Sequence, residues 1–465
     1  MKYESTRGDA PVLDFSGALL AGLALDGGLY VPTSVPALSG DDLRALAGRP
    51  YAEVAAEVLW PFVTGSTIAR DELGRLTIEA YATFDHPDVT PLRTLHDGVH
   101  LLELFHGPTL SFKDLALQLV GRLFEHELAR TGDVITVLGA TSGDTGSAAI
   151  EGCRDRAGIE LVMLHPAGRV SEVQRRQMTT VTSPNIHNVA VDGTFDDCQD
   201  LVKAAFADRP FRQRANLAAV NSINWARVAA QVAYYVRTAI ELGAPEQPVA
   251  FTVPTGNFGN ILAADLARRM GVPISQLVIA SNENDILTRT VETGTMEIGA
   301  VEATTSPAMD IQVSSNLERL LFDLYDGDGR ALSADMTEFR AAGRLQLPAA
   351  VGQALAGRFD AGRLDVAGVA EVIADQYAAD GTLVDPHTAV GLGVARRLRR
   401  DADVPMVVAA TAHPAKFPDA VRAATGVEPP LPAQLADLFD RDERCAHLPA
   451  DLAAVEEHLL AVTGR

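Results

Sequence analysis

Cysteine is scarce: Cys153, Cys198 and Cys445 are the only three in 465 residues, widely separated and odd in number. That argues against a disulfide framework. With no C-x-x-C spacing it also argues against a structural zinc site, and it fits a reducing compartment. The eleven histidines form no H-E-x-x-H, so metal catalysis has no support. Basic charge is short as well, with 39 Lys and Arg against 61 Asp and Glu, a formal net charge of -22. Such a surface repels nucleic acid and anionic membrane, so neither is an expected partner. It does not steer an anionic substrate either, and any phosphate must be captured by local donors. No stretch approaches transmembrane length. Phe15 to Leu25 imitates a signal-peptide core, but Asp9 and Asp14 before it and Asp26-Gly27-Gly28 after it do not fit one. A soluble, cytoplasmic protein is expected. Gly-x-x-x-x-Gly-Lys-Ser/Thr and Gly-x-Gly-x-x-Gly are both missing, which removes the common nucleotide-binding loops.

What remains is a chain of ordinary globular balance, 47% apolar and 22% charged, and too long for one core. Residues 1–95 read as a mainly helical N-terminal domain. Apolar spacing predicts helices over Asp41 to Leu46, Tyr51 to Trp60 and from Asp71-Glu72 onward. Beyond it, short β-rich runs alternate with helical stretches. Val134–Leu138, Glu160–Leu164, Val249–Val253, Leu277–Ala280 and Pro405–Ala410 are the strand candidates. This alternation predicts an α/β fold of mostly parallel sheets covered by helices, with sites at the carboxyl ends of strands. A core over 96–428 is expected, with a smaller α/β subdomain within about 130–215 and an inserted mixed region over about 284–380. Residues 429–465 read as a helical tail.

Four segments carry the chemistry. Lys113 stands among Leu110, Phe112, Leu115, Ala116 and Leu117 at an expected helix start. A desolvated amine has a depressed pKa, and an unprotonated amine can form an imine with an aldehyde. Thr141-Ser-Gly-Asp-Thr-Gly146 offers hydroxyls and helix-start N–H groups suited to a carboxylate or phosphate. Simple N-capping by Ser142, Asp144 or Ser147 explains it equally well, and the charge of Asp144 opposes an anion unless it faces away or is protonated. Thr255-Gly-Asn-Phe-Gly-Asn260 lets several N–H groups converge on one phosphate. Thr411 ends an apolar strand, where its hydroxyl can face a pyridine nitrogen or simply finish the turn. A reactive lysine with backbone phosphate cradles is what a pyridoxal-phosphate enzyme needs.

In order along the chain, these segments resemble the threonine synthase family, in the longer form found in many bacteria and fungi. The resemblance includes Tyr3–Gly8, Asp26–Pro32, His106–Asp114, Ala140–Gly146, Gly168–Val173, Asn221–Arg227, Gly256–Asn260, Met309–Asn316 and Ala412–Phe417. It implies a pyridoxal 5'-phosphate enzyme of the tryptophan-synthase-β type, fold type II, acting on O-phospho-L-homoserine. Lys113 matches the lysine that carries the cofactor. Gly256, Asn257, Phe258, Gly259 and Asn260 match its phosphate loop, and Thr411 the hydroxyl near its ring nitrogen. Thr141, Ser142 and Thr145 match the substrate-carboxylate loop. Asp144 falls where shorter relatives carry asparagine near the cofactor's phenolic oxygen. Arg7, Ser222, Asn224, Arg227 and Lys416 are the candidates for the substrate phosphate. A phospho-lyase giving 2-oxobutyrate and a catalytically inactive relative stay open as alternatives, and so does the choice of monomer or homodimer.

Overall fold

The apolar runs that end in glycine-rich turns become parallel strands of two sheets. The computed structural model describes residues 1–218 and 222–465, so Asn221 of the 221–227 segment lies outside the described residues. The larger sheet has six strands in the spatial order Asp360–Arg363, Ile274–Ser281, Val249–Pro254, Met406–Ala410, His100–Glu103 and Leu92–Thr94. All neighbours run parallel except the last pair. Val249–Pro254 and Met406–Ala410 lie side by side, and both are buried along their whole length. Helices on both faces explain why these runs are continuously apolar rather than alternating. Their carboxyl ends put Thr255 and Thr411 on the same rim.

The smaller sheet is entirely parallel, in the order Ala446–Pro449, Ile186–Asp192, Ile159–Pro166, Ile135–Ala140 and Leu217–Ala218. Ile135–Ala140 delivers Thr141 to its own carboxyl end. The helix Trp225–Glu241, buried along nearly all its length, ties the N-terminal region to the centre. Trp225 packs against Tyr3 and Phe62, with ring centroids 5.9 and 5.8 Å apart.

The N-terminal helices form as their periodicity predicts, over Gly40–Leu46, Tyr51–Val63 and Arg70–Tyr81. The apolar stretch from Phe15 is a short helix, Phe15–Ala21, that buries Phe15, Ala18 and Leu19. Two regions differ from expectation. The 284–380 region contributes the edge strand Asp360–Arg363 to the larger sheet. The tail is not wholly helical: Ala446–Pro449 adds an edge strand to the smaller sheet before the helix Leu452–Thr463. A four-residue strand ending in proline carries almost no pattern, and proline is tolerated there because the strand lies at an edge.

The helices Lys113–Thr131 and Asp144–Cys153 cross at two glycines. A Cβ at Gly121 would lie 2.0 Å from the Gly152 carbonyl oxygen, and one at Gly152 would lie 2.5 Å from the Leu117 oxygen. Only backbone-to-backbone contact brings the starts of these helices to a common site. Gly121→Ala is therefore expected to cost about 1–3 kcal/mol or more through overpacking, read as a lower denaturant midpoint. An unchanged midpoint would mean that the crossing relaxes freely.

Candidate active site

Lys113 is the first residue of the helix Lys113–Thr131. The turn before it is tight. Leu110 has φ of 61°, a strained conformation for a side-chain-bearing residue that costs about 1–3 kcal/mol. Thr109 donates its N–H and its hydroxyl to the Asp114 carboxylate at 2.8 and 2.7 Å. Asp114 is fully buried, and that burial pushes its carboxyl up to about 6 despite the Thr109 bonds. The turn is stitched to the rim of the larger sheet. The Phe112 N–H donates to the Thr411 carbonyl at 2.9 Å, and the His413 N–H to the Leu110 carbonyl at 3.0 Å.

The chain contains four lysines, Lys2, Lys113, Lys203 and Lys416. Lys2 and Lys203 are exposed, whereas Lys113 and Lys416 are buried and share one carboxylate. Asp144 Oδ2 lies 3.2 Å from Lys113 Nζ, and Asp144 Oδ1 lies 2.9 Å from Lys416 Nζ. Gln174 donates to the same carboxylate at 2.7 Å. Lys416 also donates to the Thr109 carbonyl and to Gln177 Oε1. Burial opposes ionisation of Asp144, but Lys416, Lys113 and His387 together hold its carboxyl well below the usual range. Asp144 is thus an anion turned toward two cations. This answers the objection that its charge would oppose a bound anion. Burial pulls the Lys113 amine below the ordinary lysine range; Asp144 opposes this, while Lys416 and Arg227 add to it.

The Gly256–Asn260 turn, expected as a phosphate cradle, turns its carbonyls outward. Gly256 and Asn257 point their carbonyls away, to the Ser314 hydroxyl and to the N–H and side chain of Asn316. Phe258 takes φ of 65° and opens the helix Gly259–Arg269. The backbone N–H groups of Gly256, Asn257, Phe258, Gly259 and Asn260 have no partner among the described residues. Asn260 Oδ1 accepts from the Tyr234 and Tyr235 hydroxyls, while its buried Nδ2 is unpaired. A Cβ at Gly256 would meet the Ala308 carbonyl at 2.5 Å, whereas one at Gly259 has ordinary room. The Thr411 hydroxyl has no hydrogen-bond partner among the described residues either. Unpaired N–H groups, a desolvated amine and a free hydroxyl on one rim fit pyridoxal phosphate.

The remaining candidates divide. Ser142 and Thr145 are half-buried at the start of the helix Asp144–Cys153, and their hydroxyls make no hydrogen bond to the described residues. Thr141 is engaged otherwise: its hydroxyl accepts from the Gly143 and Gly146 N–H groups at 3.0 and 2.9 Å and so caps the loop itself. Asn224 is likewise spent, capping the helix Trp225–Glu241 through Ala226 and donating to the Leu19 carbonyl. Arg7 is neutralised by a two-pronged pair with Glu318. Lys416 faces three protein acceptors rather than open space. Ser222 lies beside the cradle, its carbonyl held by Asn316. Arg227 stands out: it is 5% exposed, its Nε and Nη1 are unpaired, and burial brings its guanidinium down to about 10. No carboxylate among the described residues pairs with it, in a chain with 61 acids, and a buried guanidinium of this kind can accept an external anion.

Sequence reading missed Gln174, Gln177 and Asn316, whose partners are far away in the chain. The scarcity of lysine was the available signal for Lys416.

Residues 84–347 match the family model described as pyridoxal-phosphate dependent enzyme. Residues 2–81 match threonine synthase N terminus, and 388–459 match threonine synthase, C-terminal. A threonine synthase of Pseudomonas aeruginosa is 52% identical over 457 residues, covering 98% of this chain and 97% of its own. A threonine synthase-like 2 protein of Xenopus laevis is 36% identical over 451 residues, covering 96% and 95%. The crystal structure of a PLP-bound threonine synthase from Brucella melitensis superimposes with a TM-score of 0.97 at 50% identity over the whole of both chains. Fold, site and matched core together define a pyridoxal-phosphate-dependent lyase with parallel sheets. Within that class the chain belongs to the threonine synthase family.

Two outcomes follow from the geometry. Gly256→Ala should weaken cofactor affinity by about tenfold or more through the Ala308 clash, whereas Gly259→Ala should leave it nearly intact. A cofactor titration of both variants distinguishes them, and equal loss would contradict the assigned difference. Lys416→Met removes a positive charge that depresses the Lys113 amine. The acid limb of the kcat profile should therefore move to higher pH, with about 3–5 kcal/mol lost from stability because Asp144 loses a buried partner. An unmoved limb in a folded variant would contradict the electrostatic role.

Proposed function

We propose that the chain converts O-phospho-L-homoserine and water into L-threonine and phosphate, with Lys113 as its catalytic base. The observation that carries this reading is the buried Lys113 amine, held between an ionised Asp144 and the rim bearing Thr411. Bound pyridoxal phosphate supplies an aldehyde for the amine and a ring that accepts electron density from carbon. The N–H groups of Gly256 to Asn260 would hold its phosphate, and the Thr411 hydroxyl would be available to its ring.

With the substrate bound, Lys113 Nζ is the group that would take the proton from substrate Cα. It then moves protons at Cβ and Cγ, as phosphate leaves Cγ and water adds at Cβ. Asp144 accepts a hydrogen bond from the amine and orients it, while Lys416 keeps that carboxylate charged. Ser142 and Thr145 bind the substrate carboxylate, helped by the start of the helix Asp144–Cys153. Arg227, with Ser222 beside the cradle, takes the substrate phosphate. Thr141, Asn224 and Lys416 serve by shaping these groups, and Arg7 by bracing Glu318. Residues 96–428 carry the reaction, with 1–95 and 429–465 packed around them, and a cytoplasmic location belongs to the same reading.

Incubating the purified protein with O-phospho-L-homoserine should yield threonine and phosphate in equal amounts. Lys113→Ala should reduce turnover by about 10³-fold or more. Formation of 2-oxobutyrate and ammonia in place of threonine would refute the synthase reading, and full activity without Lys113 would refute its role.

A further inference from the structure

The described fold reduces three arginines to 7% exposure or less: Arg122, Arg227 and Arg319. Arg319 is satisfied by the Tyr30 and Ile223 carbonyls and by Asn316 Oδ1. Arg227 is assigned above to the catalytic centre. Arg122 shares the signature of Arg227 but lies elsewhere. It borders a separate cleft of about 420 Å³ with Pro108, Gln118, Glu151, Arg154 and Arg156. None of the residues given a catalytic or binding role lines this cleft.

Arg122 donates through Nη1 to the Gln118 carbonyl and Oε1 at 2.7 and 3.2 Å, and no described carboxylate pairs with it. Its Nε is buried and unpaired, as is Gln118 Nε2, although Gln118 is only 3% exposed. Burial, with the neighbouring charge of Arg156, brings the guanidinium down to about 10. The flanking arginines are balanced: Arg154 pairs with Glu151 and Arg156 with Glu125, both at 2.9 Å. Asp155 also lines the cleft and reaches Arg154 at 3.4 Å, so the local charges balance in number, but every one of these carboxylates is taken by Arg154 or Arg156 and none lies within ion-pair distance of Arg122. A guanidinium held only by neutral acceptors lacks the charged partner its planar fork matches best, carboxylate or phosphate oxygens. The cleft volume lies within the range of small-molecule sites.

We infer that the cleft around Arg122 and Gln118 is a second, non-catalytic site for a small molecule bearing a carboxylate or phosphate group. Its walls are the later turns of the same two helices whose first residues are Lys113 and Asp144. They are joined by the Gly121–Gly152 crossing. An anion seated there lies beside that crossing.

The test uses holoenzyme titrated calorimetrically with sodium malonate and, separately, with inorganic phosphate. Arg227→Gln serves to remove the catalytic anion site. Saturable binding that persists in Arg227→Gln and weakens about tenfold or more in Arg122→Gln is expected for at least one probe. Malonate alone behaving so assigns a carboxylate ligand, and phosphate alone a phosphorylated one. Affinities for both probes unchanged by Arg122→Gln would overturn the inference. Crystals of wild-type holoenzyme soaked in each probe decide independently of how that variant folds. Density within hydrogen-bond distance of the Arg122 guanidinium is expected, and an empty cleft at saturating concentrations of both probes would overturn the inference.

Discussion

One carboxylate between two ammonium groups sets the chemistry of this molecule. Asp144 reaches Lys113 at 3.2 Å and Lys416 at 2.9 Å inside a site from which water is largely excluded. Without Asp144, two buried cations would repel one another, and without Lys416, Asp144 would act on Lys113 alone and hold its proton more firmly. With Lys113 protonated the three carry a net single positive charge, and loss of that proton leaves the buried cluster neutral. Such an arrangement is expensive to bury and is maintained only where every remaining hydrogen bond is satisfied. Gln174, Gln177 and the Thr109 carbonyl supply those bonds.

The fold serves to bring these distant residues together. Lys113 arrives on a helix start, Asp144 on the helix that follows the smaller sheet, and Lys416 just past the rim of the larger one. The bonds between the 110–112 turn and the 411–413 segment lock two of these arrivals. The glycine crossing at Gly121 and Gly152 locks the third. The cradle at Gly256–Asn260 is held by a different device: Ser314 and Asn316 draw its carbonyls outward, leaving N–H groups to face inward. On the proposed reading, phosphate binding in this acidic protein relies on backbone dipoles and one buried arginine rather than on surface charge.

Much of this was legible in the sequence because its causes are local. Continuous apolar runs marked Val249–Pro254 and Met406–Ala410 as buried parallel strands, and the glycines after them marked the phosphate loop. Lys113 was legible from its apolar neighbours. The purposes of Thr141, Asn224, Arg7 and Lys416 were not, because each is decided by a partner that only the fold supplies. A hydroxyl that could bind substrate turned inward to cap its own loop, and an asparagine became the cap of a long buried helix. Gln174 and Gln177, which nothing in the sequence singled out, support the ionic cluster. The tail strand Ala446–Pro449 escaped notice because four residues carry no periodicity, and its pairing with Ile186–Asp192 is wholly long-range.

With only four lysines in the chain, the state of the central amine can be read directly. Nuclear magnetic resonance of protein labelled with ¹⁵N-lysine and freed of cofactor should give four side-chain signals, assigned by single Lys→Arg substitutions. Followed against pH, the Lys113 signal should titrate well below the values of the exposed Lys2 and Lys203. A Lys113 signal that titrates together with those two would contradict the account at its root.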